Sequence, residues 1–471
     1  MQRSVNRRCF LKMTAAASSA LFLTHCPKNA RKPNIIYILA DDLGYGDLGC
    51  YGQKAIQTPN LDKMAEEGMR FTNHYAGSTV CAPSRCCLMT GYHTGHARVR
   101  GNDRVPLEPQ DITVANLLKQ AGYSTALIGK WGLGEPETTG IPNRQGFDYF
   151  LGYLNQTHAH NYYPDYLWQN LKKIKLDNEN IYAEAGHAKG VGSASINRKV
   201  YSHDLFTQEA ISFLEQNADR PFFLYLAYTI PHANNEHHLL NRHGMEVPDY
   251  GSYANASWPE PQKGHAAMIT RMDNDIGQLL QKLRELAIDK ETIVIFSSDN
   301  GPHREGENDP DFNDSNGPLK GIKRDLYEGG IRVPFIVRWP EKIRAGSASD
   351  HVSAFWDFLP TACDLADVKS PDNVDGISFV PALLGEKQAK HEYLYWEFHE
   401  RKTTEQAVRM ENWKAVRHSP EDEIELYDLE SDVGEENNIA SMHSEIVKRV
   451  AAFMNKRSES AHWPLKTGKS F

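Results

Sequence analysis

The run Cys81-Ala82-Pro83-Ser84-Arg85, continuing through Cys86-Cys87-Leu88-Met89 to Thr90-Gly91, places a cysteine where a loop should enter a helix. Pro83 suits a first helical turn, where its missing N–H costs nothing. Cys81 then stands at a helix N-terminus, where free backbone donors and the dipole favour an anion. A lone cysteine is ordinarily a packing residue, so other residues have to decide whether this one reacts. Asp41 and Asp42 are adjacent carboxylates behind an apolar run and ahead of Gly44 and Gly46. Such a pair is costly unless a cation or donors sit beside it, and a metal is the expectation. Lys130, His232, Asp299 and Asn300 add an amine, an imidazole, a carboxylate and an amide, each just after another apolar run.

Those runs are the elements that must position them. Residues 34–40 are nearly all apolar and read as a central strand buried on both faces of a parallel sheet. Residues 60–68 form a short amphipathic helix, and 111–120 a helix that starts at an Asp and stops at Ala121-Gly122. Further strands are expected over 124–129, 221–228, 292–298 and 332–338. A helix over 205–216 and a long one over 263–287, with Met272, Ile276, Leu279, Leu280, Leu283 and Leu286 at helical period, lie between them. Strands alternating with helices predict an α/β doubly wound sheet, whose ligands sit beyond the carboxyl ends of the strands. Asp41, Asp42, Lys130, His232, Asp299 and Asn300 all fall at or near such ends. Each alone has a bland explanation; the weight is in their joint placement. From about residue 371 short strands (393–398, 406–410, 413–417, 425–429) and a helix (444–454) predict a small antiparallel sheet plus helix. The expected division is a signal region over 1–30, a catalytic α/β domain over 31–370 and an antiparallel subdomain over 371–471.

The chain has 471 residues, 40% hydrophobic and 24% charged, so it is long enough for a large domain with a smaller partner. Its net charge of −9 gives no support to nucleic-acid binding and leaves a small anionic substrate open. Asn6-Arg7-Arg8-Cys9-Phe10-Leu11-Lys12 resembles a twin-arginine export motif, and the apolar stretch 13–23 is too short to span a membrane. Leu23-Thr24-His25-Cys26 resembles a lipoprotein cleavage box with an unusual histidine, so Cys26 is a candidate lipid attachment site. The export machinery would move a folded protein to the periplasm or outer surface. Among the seven cysteines there is no zinc-like spacing, and Cys86 and Cys87 read as packing residues.

With these segments in place, Cys-x-Pro-Ser-Arg followed by Thr-Gly, together with the strand-end residues, resembles the type I sulfatases across nearly all of 33–440. The resemblance implies an alkaline-phosphatase-like fold: a mostly parallel central sheet flanked by helices, with a smaller C-terminal antiparallel sheet plus helix. It implies that Cys81 is oxidised to formylglycine by a maturation enzyme acting on the unfolded chain. Asp41, Asp42, Asp299, Asn300 and the modified residue would hold Ca²⁺, with Mg²⁺ the runner-up for such an all-oxygen set. Arg85 would hold the formylglycine hydrate, Lys130 and Lys323 the sulfate oxygens, and His232 would protonate the leaving alcohol. A sulfate ester needs its oxygens neutralised, a nucleophile at neutral pH and an acid for the departing oxygen. A geminal diol attacks with one hydroxyl and expels sulfate with the other, which a serine cannot do.

One position departs from the family pattern: Lys130-Trp131-Gly132 has glycine where a histidine is usual. His158, His160 and His303 are the candidates to stand in for it. Around the pocket mouth His93, His96, Arg98, Arg100, Asn102 and Tyr162 are candidate readers of sugar hydroxyls or a carboxylate. The implied function is a sulfuric ester hydrolase acting on a sulfated glycan or aryl sulfate, as an exo-acting sulfatase on a galactose- or N-acetylgalactosamine-based fragment. Two rivals share these residues: a formylglycine-dependent phosphonate or phosphodiester hydrolase, and an inactive exported glycan-binding homologue.

Overall fold

The computed structural model describes residues 32–400 and 402–468. The twin-arginine motif, the stretch 13–23 and Cys26 lie outside them. The strand Asn34–Asp41 is buried along its whole length. It is the middle of a ten-stranded sheet, flanked in parallel by Phe222–Pro231 and Thr292–Ser298. Ser124–Lys130 and Tyr149–Tyr153 continue the parallel run beyond Phe222–Pro231. Alternation along the central strand sorts the core into two layers, as a period of two requires. Ile35, Tyr37 and Leu39 face the layer that contains the Cys81–Thr90 and Phe358–Leu365 helices. Ile36, Ile38 and Ala40 face the layer of Ser202–Asn217 and Glu260–Glu285. A sheet covered on both faces by helices leaves its strand ends as the accessible rim, where the polar residues stand.

Four strands, Leu394–Phe398, Glu405–Met410, Trp413–Arg417 and Glu425–Asp428, form the antiparallel C-terminal sheet. The helix Ser444–Met454 packs Val450, Phe453 and Met454 against Tyr395 and Val408 of that sheet. The expected strand over 332–338 is shorter, Phe335–Arg338, and antiparallel to Thr292–Ser298. Pro334 has no N–H to give to a ladder, and Arg332 is diverted to an isolated bridge with Tyr75. The helix expected from residue 111 begins at Val114, because Thr113 caps it through a reciprocal pair with Asn116. The sheet is also broader than the apolar runs imply. Tyr166–Gln169 and Lys172–Lys175 extend one edge, Met69–Phe71 and Ser347–Ser349 the other. All five cysteines among the described residues are free thiols.

Candidate active site

Three strand ends and one helix converge on Cys81. Asp41 is the last residue of the central strand, and Asp42 turns into the left-handed region at φ 66°. The Asp42 amide donates to Asp299 Oδ1 at 3.1 Å and the Leu43 amide to Ser298 Oγ at 2.8 Å, which ties two neighbouring strand ends together. Cys81 is the first residue of its helix, after an extended Val80, and every residue of that helix is buried. Its thiol donates to Asp41 Oδ1 at 3.3 Å. One turn on, Arg85 donates to Asp299 Oδ2 from Nε (3.0 Å) and Nη2 (2.8 Å), and to the Lys130 carbonyl from Nη1 (2.7 Å). This arginine therefore locks the helix to two strand ends, with Asp41 3.4 Å from Nη2.

Two lysines close the other side. Lys130 Nζ lies 2.6 Å from Asp41 Oδ2. Lys323 Nζ donates to Asp42 Oδ2 (2.8 Å), Glu305 Oε2 (2.9 Å) and His232 Nε2 (3.1 Å). His232 places Nδ1 on the Ala233 carbonyl at 2.7 Å, so Nδ1 carries the proton and Nε2 accepts from Lys323. Burial, reinforced by Lys323, pushes His232 down to about 3. Burial alone would raise Asp41 and Asp42. Lys130 and Arg85 nevertheless hold Asp41 below the ordinary carboxylate range, and Lys323 does the same for Asp42. Asp299 is pushed up to about 7 by burial and by the Asp41 charge.

The cluster suits a hard cation. Asp41, Asp42 and Asp299 are fully buried, and Asn300 Oδ1 is buried with no hydrogen-bond partner, although its Nδ2 donates to Asp42 at 2.7 Å. Ligand atoms of Asp41, Asp42, Cys81 and His232 lie within 4.8 Å of one another. Three carboxylates and an orphaned amide oxygen are an oxygen donor set of the kind Ca²⁺ and Mg²⁺ take.

Cys81, Lys130, His232 and Lys323 line the buried end of a cavity of about 390 Å³. Of the residues expected to contact substrate, His160 and Asn102 also line it. His160 stacks on His232 with ring centroids 4.8 Å apart and pairs through Nδ1 with Glu236 at 3.0 Å. Asn102 commits its carbonyl oxygen to the Ala82 amide (3.0 Å) at the start of the Cys81 helix.

The others are elsewhere. His158 is buried against Tyr153 and Tyr166 and does not line the cavity; burial pushes it down to about 3. His303 lies behind His232, its Nε2 on the Pro231 carbonyl (3.2 Å) and its Nδ1 accepting from the Glu305 amide (3.0 Å). Arg100 is buried on Glu397 (2.8 Å) and Ser458, joining its loop to the C-terminal sheet. Tyr162 gives its hydroxyl to the carbonyls of Thr229 and His232. His93 and His96 stack and meet Asp375, and Arg98 pairs with Asp111 and Glu108. None of these faces the cavity.

Gly132 leaves no vacancy. Its φ is 86°, and a Cβ built there would lie 2.8 Å from Gln156 Cγ. Gln156 fills that space and donates from Nε2 to Asn102 Oδ1 at 3.3 Å. Glu305, Gln156, Arg324, Trp463 and Lys466 also line the cavity and were not anticipated. Glu305 stands two residues past His303, and no spacing signals it.

A strand-end site of this kind belongs to hydrolases built on the alkaline-phosphatase-like sheet. The model of the sulfatase family matches residues 33–368, and that of the N-sulphoglucosamine sulphohydrolase C-terminal region matches 322–461. The chain belongs to the sulfatase family and is a sulfatase. It is 30% identical to the N-acetylgalactosamine-6-O-sulfatase of Bacteroides thetaiotaomicron, over 91% of this chain and 93% of that one. It is 31% identical to the steryl-sulfatase of Mus musculus, over 88% and 76%. The solved structure of Ps i-CgsB in complex with k-i-k-neocarrahexaose superposes with a TM-score of 0.77 at 28% identity, covering 93% of this chain and 96% of that one. The phosphonate monoester hydrolase of Agrobacterium radiobacter shares the fold alone, at 20% identity, with a TM-score of 0.63 and coverage of 90% and 95%.

Proposed function

We propose that this sulfatase removes sulfate from a terminal sugar of a sulfated glycan, with formylglycine at position 81 and a divalent ion, Ca²⁺ ahead of Mg²⁺. The observation that carries the reading is the convergence of Cys81, Lys130, Lys323 and His232 at one buried end of a polar cavity. Formylglycine, installed by a maturation enzyme, supplies two hydroxyls on one carbon, one to attack sulfur and one to expel sulfate. Asp41, Asp42, Asp299 and Asn300 would hold the ion, which supplies positive charge to a sulfate oxygen. Lys130 and Lys323 neutralise the other oxygens, and both ammonium groups are fixed by carboxylates before substrate arrives, so little reorganisation is needed. The proton lost by the attacking hydroxyl would pass to the departing sugar oxygen by way of His232 Nε2, which the Lys323 ammonium holds in place at 3.1 Å. Arg85 keeps the helix start, and with it residue 81, at fixed distance from Asp299.

Cys81, Lys130, His232 and Lys323 share one buried end of the cavity, which favours action on a sugar at a chain end. The glycan reading rests on the relatives named for N-acetylgalactosamine 6-sulfate and on the neocarrahexaose complex. Export, directed by the Arg7-Arg8 motif, would place the enzyme where such polysaccharides are met.

The test pairs mass spectrometry of the residue-81 peptide with release of sulfate from a panel of sulfated mono- and oligosaccharides. An aldehyde at position 81 and turnover of a galactose- or N-acetylgalactosamine-based sulfate are expected. An intact thiol in active protein, or faster turnover of an aryl phosphodiester than of any sulfate, would overturn the reading.

A further inference from the structure

Beyond the sulfate-gripping end, the cavity wall is built partly by the C-terminal tail. Trp463 and Lys466 line it, and both lie past residue 461, where the match to the C-terminal-region model stops. The tail is held firmly. Trp463 is 2% exposed, its indole donates to the Arg98 carbonyl at 2.9 Å, and its ring lies where a Cβ at Gly101 would come within 2.7 Å. Arg457 donates to the Trp463 carbonyl. Lys466 exchanges hydrogen bonds with Thr404, its carbonyl accepting from the Thr404 amide (2.8 Å) and its amide donating to Thr404 Oγ1 (2.9 Å). The same pocket-facing stretch reaches the catalytic helix, because Glu400 Oε1 accepts from the Asn102 amide (3.0 Å) and Asn102 holds Ala82.

The charges along this wall are unequally matched. Glu400 and Glu305 are both answered by Arg324, while Asp103 meets His462 and Glu135 accepts from Asn155. Among the described residues Arg104 donates to the His187 carbonyl at 3.2 Å and Lys466 Nζ to the His399 carbonyl at 2.6 Å, with no further side-chain partner. Neither cation has a carboxylate within ion-pair distance among the described residues, in a chain whose net charge is −9. Both cations stand on the cavity wall, Arg104 exposed and Lys466 partly buried, and each keeps donor capacity for an anion that enters the cavity.

We propose that Arg104 and Lys466 form a second anion subsite, which holds an acidic group on the sugar next to the one being desulfated. The favoured substrate class is therefore a glycan with at least two anionic groups, and this rests on the carbohydrate-sulfatase reading above. The second group is an oxyanion, either a sulfate ester or a uronate carboxylate; both accept charge-assisted hydrogen bonds from guanidinium and ammonium.

The test uses full-length matured enzyme and three disaccharides with the same sulfated terminal sugar. The neighbouring sugar is neutral, a uronate or itself sulfated. Wild-type enzyme is expected to show kcat/KM at least about tenfold higher on one or both acidic-neighbour substrates than on the neutral one, as one charge-assisted contact provides. That preference should shrink with added salt, collapse in Arg104→Ala and Lys466→Ala, and survive in Arg104→Lys and Lys466→Arg. Which acidic substrate loses most identifies the group as sulfate or carboxylate. Equal kcat/KM on all three disaccharides, or a preference that persists in both alanine variants, would overturn the subsite while leaving the sulfatase reading intact. No turnover of any disaccharide by aldehyde-bearing protein would instead strike at the carbohydrate reading, and the subsite would fall with it.

Discussion

Replacing Gly132 by alanine tests whether Gln156 has taken the space two residues past Lys130. Two costs can be worked from the structure. At φ 86° an L-residue gives up about 1–2 kcal/mol relative to glycine. The added Cβ also comes 2.8 Å from Gln156 Cγ, a mid-chain atom held by the amide's bond to Asn102, and relieving such overlap costs about 1–3 kcal/mol. Gln156→Ala removes Cγ and loses one long hydrogen bond, for about 0.5–1 kcal/mol. The double variant should then keep the backbone cost and shed the collision, so the two substitutions couple by about 1–3 kcal/mol in the stabilising direction. Urea midpoints at unchanged slope give the four stabilities of the cycle. Sulfate release from an aryl sulfate should fall in Gly132→Ala and partly recover in the double variant, because Asn102 again sits squarely on the Ala82 amide. Additivity within about 0.5 kcal/mol, or a Gly132→Ala variant as stable as the parent, would refute the claim that Gln156 occupies this position.

Four further outcomes can be checked. Chelation should abolish sulfate release, calcium should restore it better than magnesium, and Asp299→Asn should lower bound metal per chain measured by elemental analysis; full activity in metal-free protein would contradict this. His160→Ala should cut kcat about tenfold or more, since His160 stacks on His232, the proposed proton relay. His158→Ala should leave kcat within about twofold and cost about 1–3 kcal/mol of stability, as a buried ring away from the cavity should. Glu397 is held down to about 2 by its partners His399, Arg457 and Arg100, which overcome the opposing effect of burial. Its folded value lies below the unfolded one, so between about pH 4.5 and 2 the unfolded chain binds more protons. About 3 kcal/mol of stability is then present above pH 4.5 and is lost as pH falls through that window. Glu397→Gln should flatten the acid limb of the stability curve, and an unchanged limb would remove the assignment.

The strand-end chemistry was legible because parallel strands buried on both faces must be continuous apolar runs. The first polar residues after them are thus marked by contrast. Asp41, Lys130 and Asp299 all follow that logic, and the helical start at Cys81 was marked by Pro83. Residues whose partners arrive from far along the chain were not legible. Arg100 looks like a surface charge until Glu397, 297 residues later, is brought against it. His158 sits two residues from His160, and only the turn of the intervening 3-10 segment decides that one packs inward and the other faces the cavity. The edge strand Lys172–Lys175 has three lysines in four residues and no apolar run to announce it.

The same contrast separates the two jobs of the site. Of the groups proposed to grip sulfate, Lys130 ends a central strand beside Arg85, and Lys323 is held to a strand end through Asp42 and to His232 and Glu305. The rest of the cavity wall comes from segments outside the central strands, among them 102–106, 134–135, 155–157, 399–400 and the tail residues Trp463 and Lys466. These can be rebuilt without disturbing the register of a single central strand. This chain is about equally identical to a steryl-sulfatase and to N-acetylgalactosamine-6-sulfatases, so the prediction is that these wall segments set its choice of substrate. Grafting the wall, rather than altering the lysines, is the change that should redirect it.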